Sequence, residues 1–235
     1  MISERQANER GHFTGHWLDS YHSFSFGEYY DPEHMGVSVL RVINDDRVIP
    51  GAGFPTHFHA DMEIISYVLE GELEHKDSMG NGSVIRPGDV QRMSAGTGIT
   101  HSEFNPSTNY ATSFLQIWLL PDKRGLTPGY AQKHFSDEDK KGQLKLLVSA
   151  DGREGSVSAN TDAMMYATLL DAGQTVSHEI QAGRVSYLHV AKGSVHINGN
   201  SLHSGDAACI ADEPKVEIVG QKLSEVLLFD LPVLK

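Results

Sequence analysis

A single cysteine, Cys209, stands among 235 residues. No internal disulfide can form, and the chain suits a reducing compartment. Long hydrophobic runs are also missing, since no stretch approaches the roughly 18 apolar residues that read as a membrane helix. The first residues, MISERQANERGHF, hold no apolar run of the kind a secretory signal needs. Positive charge is scarce: 19 Lys and Arg stand against 31 Asp and Glu, a net charge of −12. A chain of that sign has no field to draw in phosphates, which argues against direct nucleic-acid binding but leaves a protein partner open. These shortages together predict a cytoplasmic protein that does not cross a membrane.

What is present is β structure. At 39% hydrophobic and 21% charged, the composition is that of a globular protein, and 235 residues make one to two domains. Apolar, β-branched runs recur at Val37–Ile43, Ile64–Leu69, Phe114–Leu120, Leu144–Val148, Met165–Leu170, Val185–Val190 and Val226–Leu231. Turn signals separate them at residues 44–46, 79–82, 87–89 and 198–200. The pattern predicts an all-β sandwich or barrel. One short helix is expected after Ser136, a serine cap followed by three acids.

Residues 121–143, with two prolines, three glycines and dense charge, read as a connection between two modules. The halves resemble one another. Tyr67–His75 can be laid on His189–Ile197 and Pro87-Gly88-Asp89 on Ser204-Gly205-Asp206, which suggests a duplicated barrel. The division expected is residues 1–133, a barrel with an N-terminal covering segment, and residues 134–235, a second barrel. In the covering segment Trp17, Tyr21, Phe24, Phe26, Tyr29 and Tyr30 lie close together. They are expected to close the open end of a barrel, and some of the rings could line a pocket for a flat aromatic ligand.

The chemistry-bearing pattern is Thr56-His57-Phe58-His59, followed by His101-Ser102-Glu103. On a strand, residues two apart share a face, so each pair presents its side chains together. Inside a barrel the two pairs can converge as three imidazoles and one carboxylate. Donors of that kind, without thiolate, suit Fe(II), Mn, Ni, Cu or Zn at a site with open positions. The candidate metal ligands are therefore His57, His59, His101 and Glu103.

Gly51-(x)5-His57-x-His59 with Gly71, and Pro87-Gly88-Asp89 with Gly98-(x)2-His101-(x)3-Asn105, look like the two cupin motifs. His22-Ser-Phe-Ser-Phe26, Tyr29-Tyr30-Asp31-Pro32, Leu40-Arg-Val-Ile-Asn-Asp-Asp46, Tyr67-Val-Leu-Glu-Gly71, Met93-Ser-Ala-Gly-Thr-Gly-Ile99 and His101-Ser-Glu103 resemble the pirin family, in particular its bacterial quercetin-dioxygenase-like members. The resemblance implies a bicupin of two jelly-roll-like barrels with short helical connections. It also implies one divalent metal, typically iron, in the first barrel, and Glu103 as its carboxylate. The implied activity is a dioxygenase opening the central ring of a flavonol with O₂. Glu103 would be the base for the flavonol hydroxyl, moving on and off the metal. A regulatory protein-binding module of pirin type and a metal-cupin isomerase are the competing readings.

Glu63 is set aside as a ligand because it falls one residue from the usual cupin position, and a one-residue offset on a strand turns a side chain to the other face. A solvated or salt-bridged role is expected for it. In the second half, the repeat places Glu179, Gln181, Ile218 and Gly220 at the ligand positions, with His178 one residue away and no partner. That barrel is expected to hold no metal. His12, His16, His22, His34, His75, His134, His189, His196 and His203 are expected in surface or hydrogen-bonded roles, with His75 and His196 at matching, structural places in the repeat. Cys209 reads as a small buried hydrophobe.

Overall fold

The computed structural model describes residues 1–234. Each half is a seven-stranded sheet faced by a four-stranded one. In the first half the larger sheet runs Gly129–His134, Asp89–Ser94, Glu63–Glu70, Thr112–Leu119, Leu40–Val48, Leu18–His22, Gly11–Thr14, and the smaller runs Gly53–His59, Ile99–Phe104, Leu73–Asp77, Gly82–Ile85. The second half repeats the plan, its larger sheet centred on Arg184–Lys192 and Ser224–Pro232 and its smaller sheet beginning Thr175–Glu179, Lys215–Gly220. The fold is an all-β bicupin. The expected helix is the single turn Asp137–Lys140, closed by a reciprocal cap between Ser136 and Asp139.

The period of two explains how the halves join. Along Glu63–Glu70, Ile65, Tyr67 and Leu69 point to one face and enter the largest core cluster. Leu115, Ile117 and Leu119 from the next strand join the same cluster. So do Leu147, Met165, Tyr187 and Phe229 from the second half, so that the outer faces of the two large sheets share one core. The alternate residues, Ile64 and Val68 with Phe114, face the interior of the first barrel.

Several expectations need correcting. The polar run Asn44-Asp45-Asp46 is not a turn but the middle of the strand Leu40–Val48, where Asn44 and Asp46 are buried. Neighbouring strands on both sides hold its backbone; Asn44 and Asp46 face a cavity, while Asp45 turns to the other face and pairs with Arg10. Within the connecting segment, Gly129–His134 extends the first sheet beside Asp89–Ser94. Residues 2–5 leave the first half altogether and pair with Ala207–Ile210 at the edge of the second large sheet.

Candidate metal centre

His57 and His59 lie on Gly53–His59, which pairs with Ile99–Phe104 so that His57 stands directly opposite His101. Gly53 permits the close approach, since a Cβ there would strike the Glu103 carbonyl. The ladder slips by one residue between His101 and Glu103, within the segment containing Pro55, which has no N–H to give. The bulge lets the Pro55 carbonyl accept a hydrogen bond from His57 Nδ1 at 2.8 Å. His57 Nε2 then carries the lone pair, 3.1 Å from His101 Nε2.

A second chain of contacts orients His101. Its Nδ1 lies 3.4 Å from His75 Nδ1, and His75 Nε2 lies 3.2 Å from an Asp77 oxygen. The consistent proton assignment has His75 donating to Asp77 and accepting from His101, which leaves His101 Nε2 free as a donor atom. Burial pushes Asp77 up, but hydrogen bonds from Asn81 and His75 outweigh it and hold the carboxyl below its usual range.

The donor nitrogens of His57, His59 and His101 all come within 4.8 Å of one another. Burial, reinforced by the neighbouring imidazoles, lowers His59 to about 4 and His101 to about 3, so both are neutral at pH 7. Three imidazoles whose donor nitrogens come this close together fit a divalent transition ion. Glu103 falls in a second group with His75 and His101. Its oxygens accept hydrogen bonds from Ser66 at 2.9 Å and Gln116 at 2.8 Å. The structure thus brings the three histidines together and seats Glu103 beside His101.

The histidines stand in the wall of a cavity of about 540 Å³, within the usual range for small-molecule sites. Phe13, Phe26, Tyr29, Phe54 and Trp118 supply its rings, so part of the N-terminal aromatic cluster does line the pocket. Trp17 instead packs edge-on against Phe54, and Phe24 against Tyr187 of the second half. Tyr30 is exposed.

The sequence reading missed the polar wall. Ser20, His22, Asn44, Asp46 and Gln116 all line the cavity and all are buried. His22 pairs across the sheet with Asn44, Asn44 with Gln116, and Gln116 with Ser66, so four adjacent strands put a polar residue at one level. The available signal was polar residues at inward positions in otherwise apolar strands. Burial, with small contributions from Asp45 and Glu103 against a hydrogen bond from Ser20, raises Asp46 to about 7.

The remaining candidates fall into place. Glu63 is buried on the face opposite Ile64, accepts hydrogen bonds from Ser94 and Asn160, and lies 4.0 Å from Arg92 Nε. It is a salt-bridged carboxylate pointing away from the cavity. His75 and His196 do not match: His75 is buried behind His101, while His196 is half-exposed and contacts Ser201 and Gln221. Laid strand on strand, His75 corresponds to Ile197, because His75 pairs with Glu103 as Ile197 pairs with Ile218. The same register moves the repeat positions. His178 faces Val216 as His57 faces His101, so it occupies a ligand position instead of lying one residue away. There it bonds Asp230 at 2.8 Å, which also pairs with Arg184.

The conserved-domain model described as Pirin matches residues 3–119, and that described as Quercetinase C-terminal cupin domain matches residues 146–231. The chain belongs to the pirin family. It is 49% identical over 232 residues to a quercetin 2,3-dioxygenase of Escherichia coli K12, covering 99% of each chain. It is 39% identical to a pirin-like protein of Caulobacter vibrioides, with 98% and 99% covered. A bacterial pirin from Escherichia coli solved in complex with nickel(II) superposes with a TM-score of 0.95 at 48% identity, over the whole of both chains. Among the described residues of this pirin, no helix is long and apolar enough to cross a membrane.

Proposed function

We propose that this pirin is a metal-dependent dioxygenase that opens the central ring of a flavonol such as quercetin, with O₂ as co-substrate. The observation that carries the reading is three converging imidazoles set in the wall of a ring-lined cavity. Its relatives named as quercetin 2,3-dioxygenases support the substrate class. His57, His59 and His101, with Glu103 as fourth donor, would hold one divalent ion, iron by family habit or nickel as in the related structure. When bound, that ion supplies exchangeable positions where a hydroxy-ketone chelates and O₂ is activated.

The chain's own residues do the rest. His75 and Asp77 fix the His101 ring through its Nδ1. Ser66 and Gln116 hold the Glu103 carboxylate against the sheet. Phe26, Phe54 and Trp118 give a flat ligand aromatic walls to pack against.

The test is bleaching of the long-wavelength absorbance of quercetin by metal-loaded protein in air. Turnover should require O₂ and vanish in the His57→Ala, His59→Ala double variant. Glu103→Gln should lower both metal affinity and turnover. Bleaching that persists without O₂ or in the double variant overturns the reading. No bleaching with iron, nickel, manganese or copper bound would favour the protein-binding module instead.

A further inference from the structure

The cavity wall carries a polar group that the three histidines do not account for. Asp46 projects inward from Leu40–Val48, directly opposite Ser20 in the sheet register. The Ser20 hydroxyl donates to Asp46 Oδ1. His22 Nε2 lies 2.9 Å from Ser20 Oγ. Because the serine has one hydrogen and gives it to Asp46, His22 must donate to Ser20, and its Nδ1 is left without a partner. The chain His22–Ser20–Asp46 therefore fixes one carboxylate oxygen. No group among the described residues bonds the other, and no Lys or Arg lines the cavity.

A buried carboxylate with one vacant oxygen facing a cavity calls for a hydrogen-bond donor. Glu103, by contrast, has both oxygens engaged. We propose that Asp46 is the acceptor for a ring hydroxyl of the bound flavonol, taking first its hydrogen bond and then its proton. The O–H bond of the hydroxyl breaks, a new O–H bond forms at Asp46 Oδ2, and the electron pair stays on the ring oxygen. Negative charge passes from the carboxylate to the ligand, and nothing else is consumed. The raised proton affinity of Asp46 suits that exchange, and Glu103 keeps its place beside His101. This assignment rests on the flavonol reading above.

The experiment counts protons. Quercetin is titrated anaerobically into nickel-loaded full-length protein by calorimetry, in two buffers of different ionisation enthalpy at about pH 8, where Asp46 starts ionised. The wild type should release almost no proton to buffer, because Asp46 keeps it. Asp46→Asn cannot keep the proton of a hydroxyl ionised on the nickel, so it should release about one proton per flavonol and bind about tenfold more weakly, while retaining its full complement of nickel. Ser20→Ala keeps the carboxylate and should still release almost none, which guards against a wall that is merely disturbed. Release of a full proton by the wild type, or equal release by wild type and Asp46→Asn, overturns the assignment. Failure of the wild type to bind quercetin overturns it together with the flavonol reading. Binding with the proton retained but no bleaching in air leaves Asp46 in its role and removes only the oxygenase reading.

Discussion

His75 shows how much of a metal centre lies behind its ligands. It is wholly buried and links His101 to an Asp77 carboxylate that Asn81 also holds. Removing it leaves the His101 ring free to turn. His75→Ala should weaken nickel binding about 10- to 100-fold, with the fold kept, as a competition titration against a chelator would show. Unchanged affinity would mean that the strand pairing alone aims His101. His189 poses the opposite problem, because it is buried with neither ring nitrogen bonded, and burial beside Arg10 lowers it to about 3. The unfolded chain protonates this histidine below its ordinary 6.5, whereas the folded one does not until about 3. Stability conferred by the neutral ring is therefore full above 6.5 and falls on acidification by about 1.4 kcal/mol per pH unit. His189→Leu should be near neutral at pH 7 and should flatten the decline between about pH 6.5 and pH 5, measured by denaturant midpoints. An undiminished slope would show that another group takes up the proton. At this scale the sequence was legible where residues two apart share a strand face, as in His57-x-His59, which the strand pairing sets against His101. It was illegible for His22, whose bond to Ser20 gains meaning only through Asp46 on the next strand.

At the scale of elements, the N-terminal strand is the clearest case of long-range placement. Ile2–Arg5 pairs with Ala207–Ile210, and Ile2 packs against the core of the second barrel. Arg5 then reaches back to bond the Tyr29 hydroxyl at 2.8 Å, and Tyr29 lines the cavity. Deleting residues 1–5 should cost about 2–4 kcal/mol from the lost ladder and apolar burial, lowering Tm by roughly 5–10 °C. It should also leave Ala207–Ile210 as a bare edge prone to association. An unchanged Tm and a monomeric light-scattering profile would refute this. The major strands were readable because both faces of the two central strands of the first half are buried and give near-continuous apolar runs. Asn44-Asp45-Asp46 was misread for the same reason in reverse: three polar residues in a row mimic a turn in any local window. Only the pairing with Leu18–His22 and Thr112–Leu119 shows that Asn44 and Asp46 face a cavity. The repeat was visible, but its register was not, because loop lengths differ between the halves and a bulge separates His101 from Glu103.

For the whole molecule, the shared core between the large sheets decides how one site affects the rest. That core draws residues from both halves, among them Ile65, Tyr67 and Leu115 from the first and Met165, Tyr187 and Phe229 from the second. Tyr67 also donates to Glu225, with the buried Lys140 3.5 Å from the same carboxylate oxygen. Neither half can unfold without exposing this apolar face, so the two should melt together. Of the paired positions in the second barrel, Val216 and Ile218 are apolar and His178 is engaged with Asp230. Binding should therefore saturate near one nickel per chain. An ion that binds only the folded state stabilises by RT ln(1 + [L]/Kd), about 2.7 kcal/mol at a hundredfold excess over Kd. With one cooperative unit of this size, nickel should move a single melting transition upward by roughly 5–10 °C. The His57→Ala, His59→Ala double variant should show the same single transition with no shift, since two of the three imidazoles are gone. His178→Gln should leave the shift intact. Calorimetry that resolves two transitions, only one of them moved by nickel, would show that the common core does not couple the halves. A stoichiometry near two would put a second ion in the barrel where Asp230, itself paired with Arg184, now holds His178.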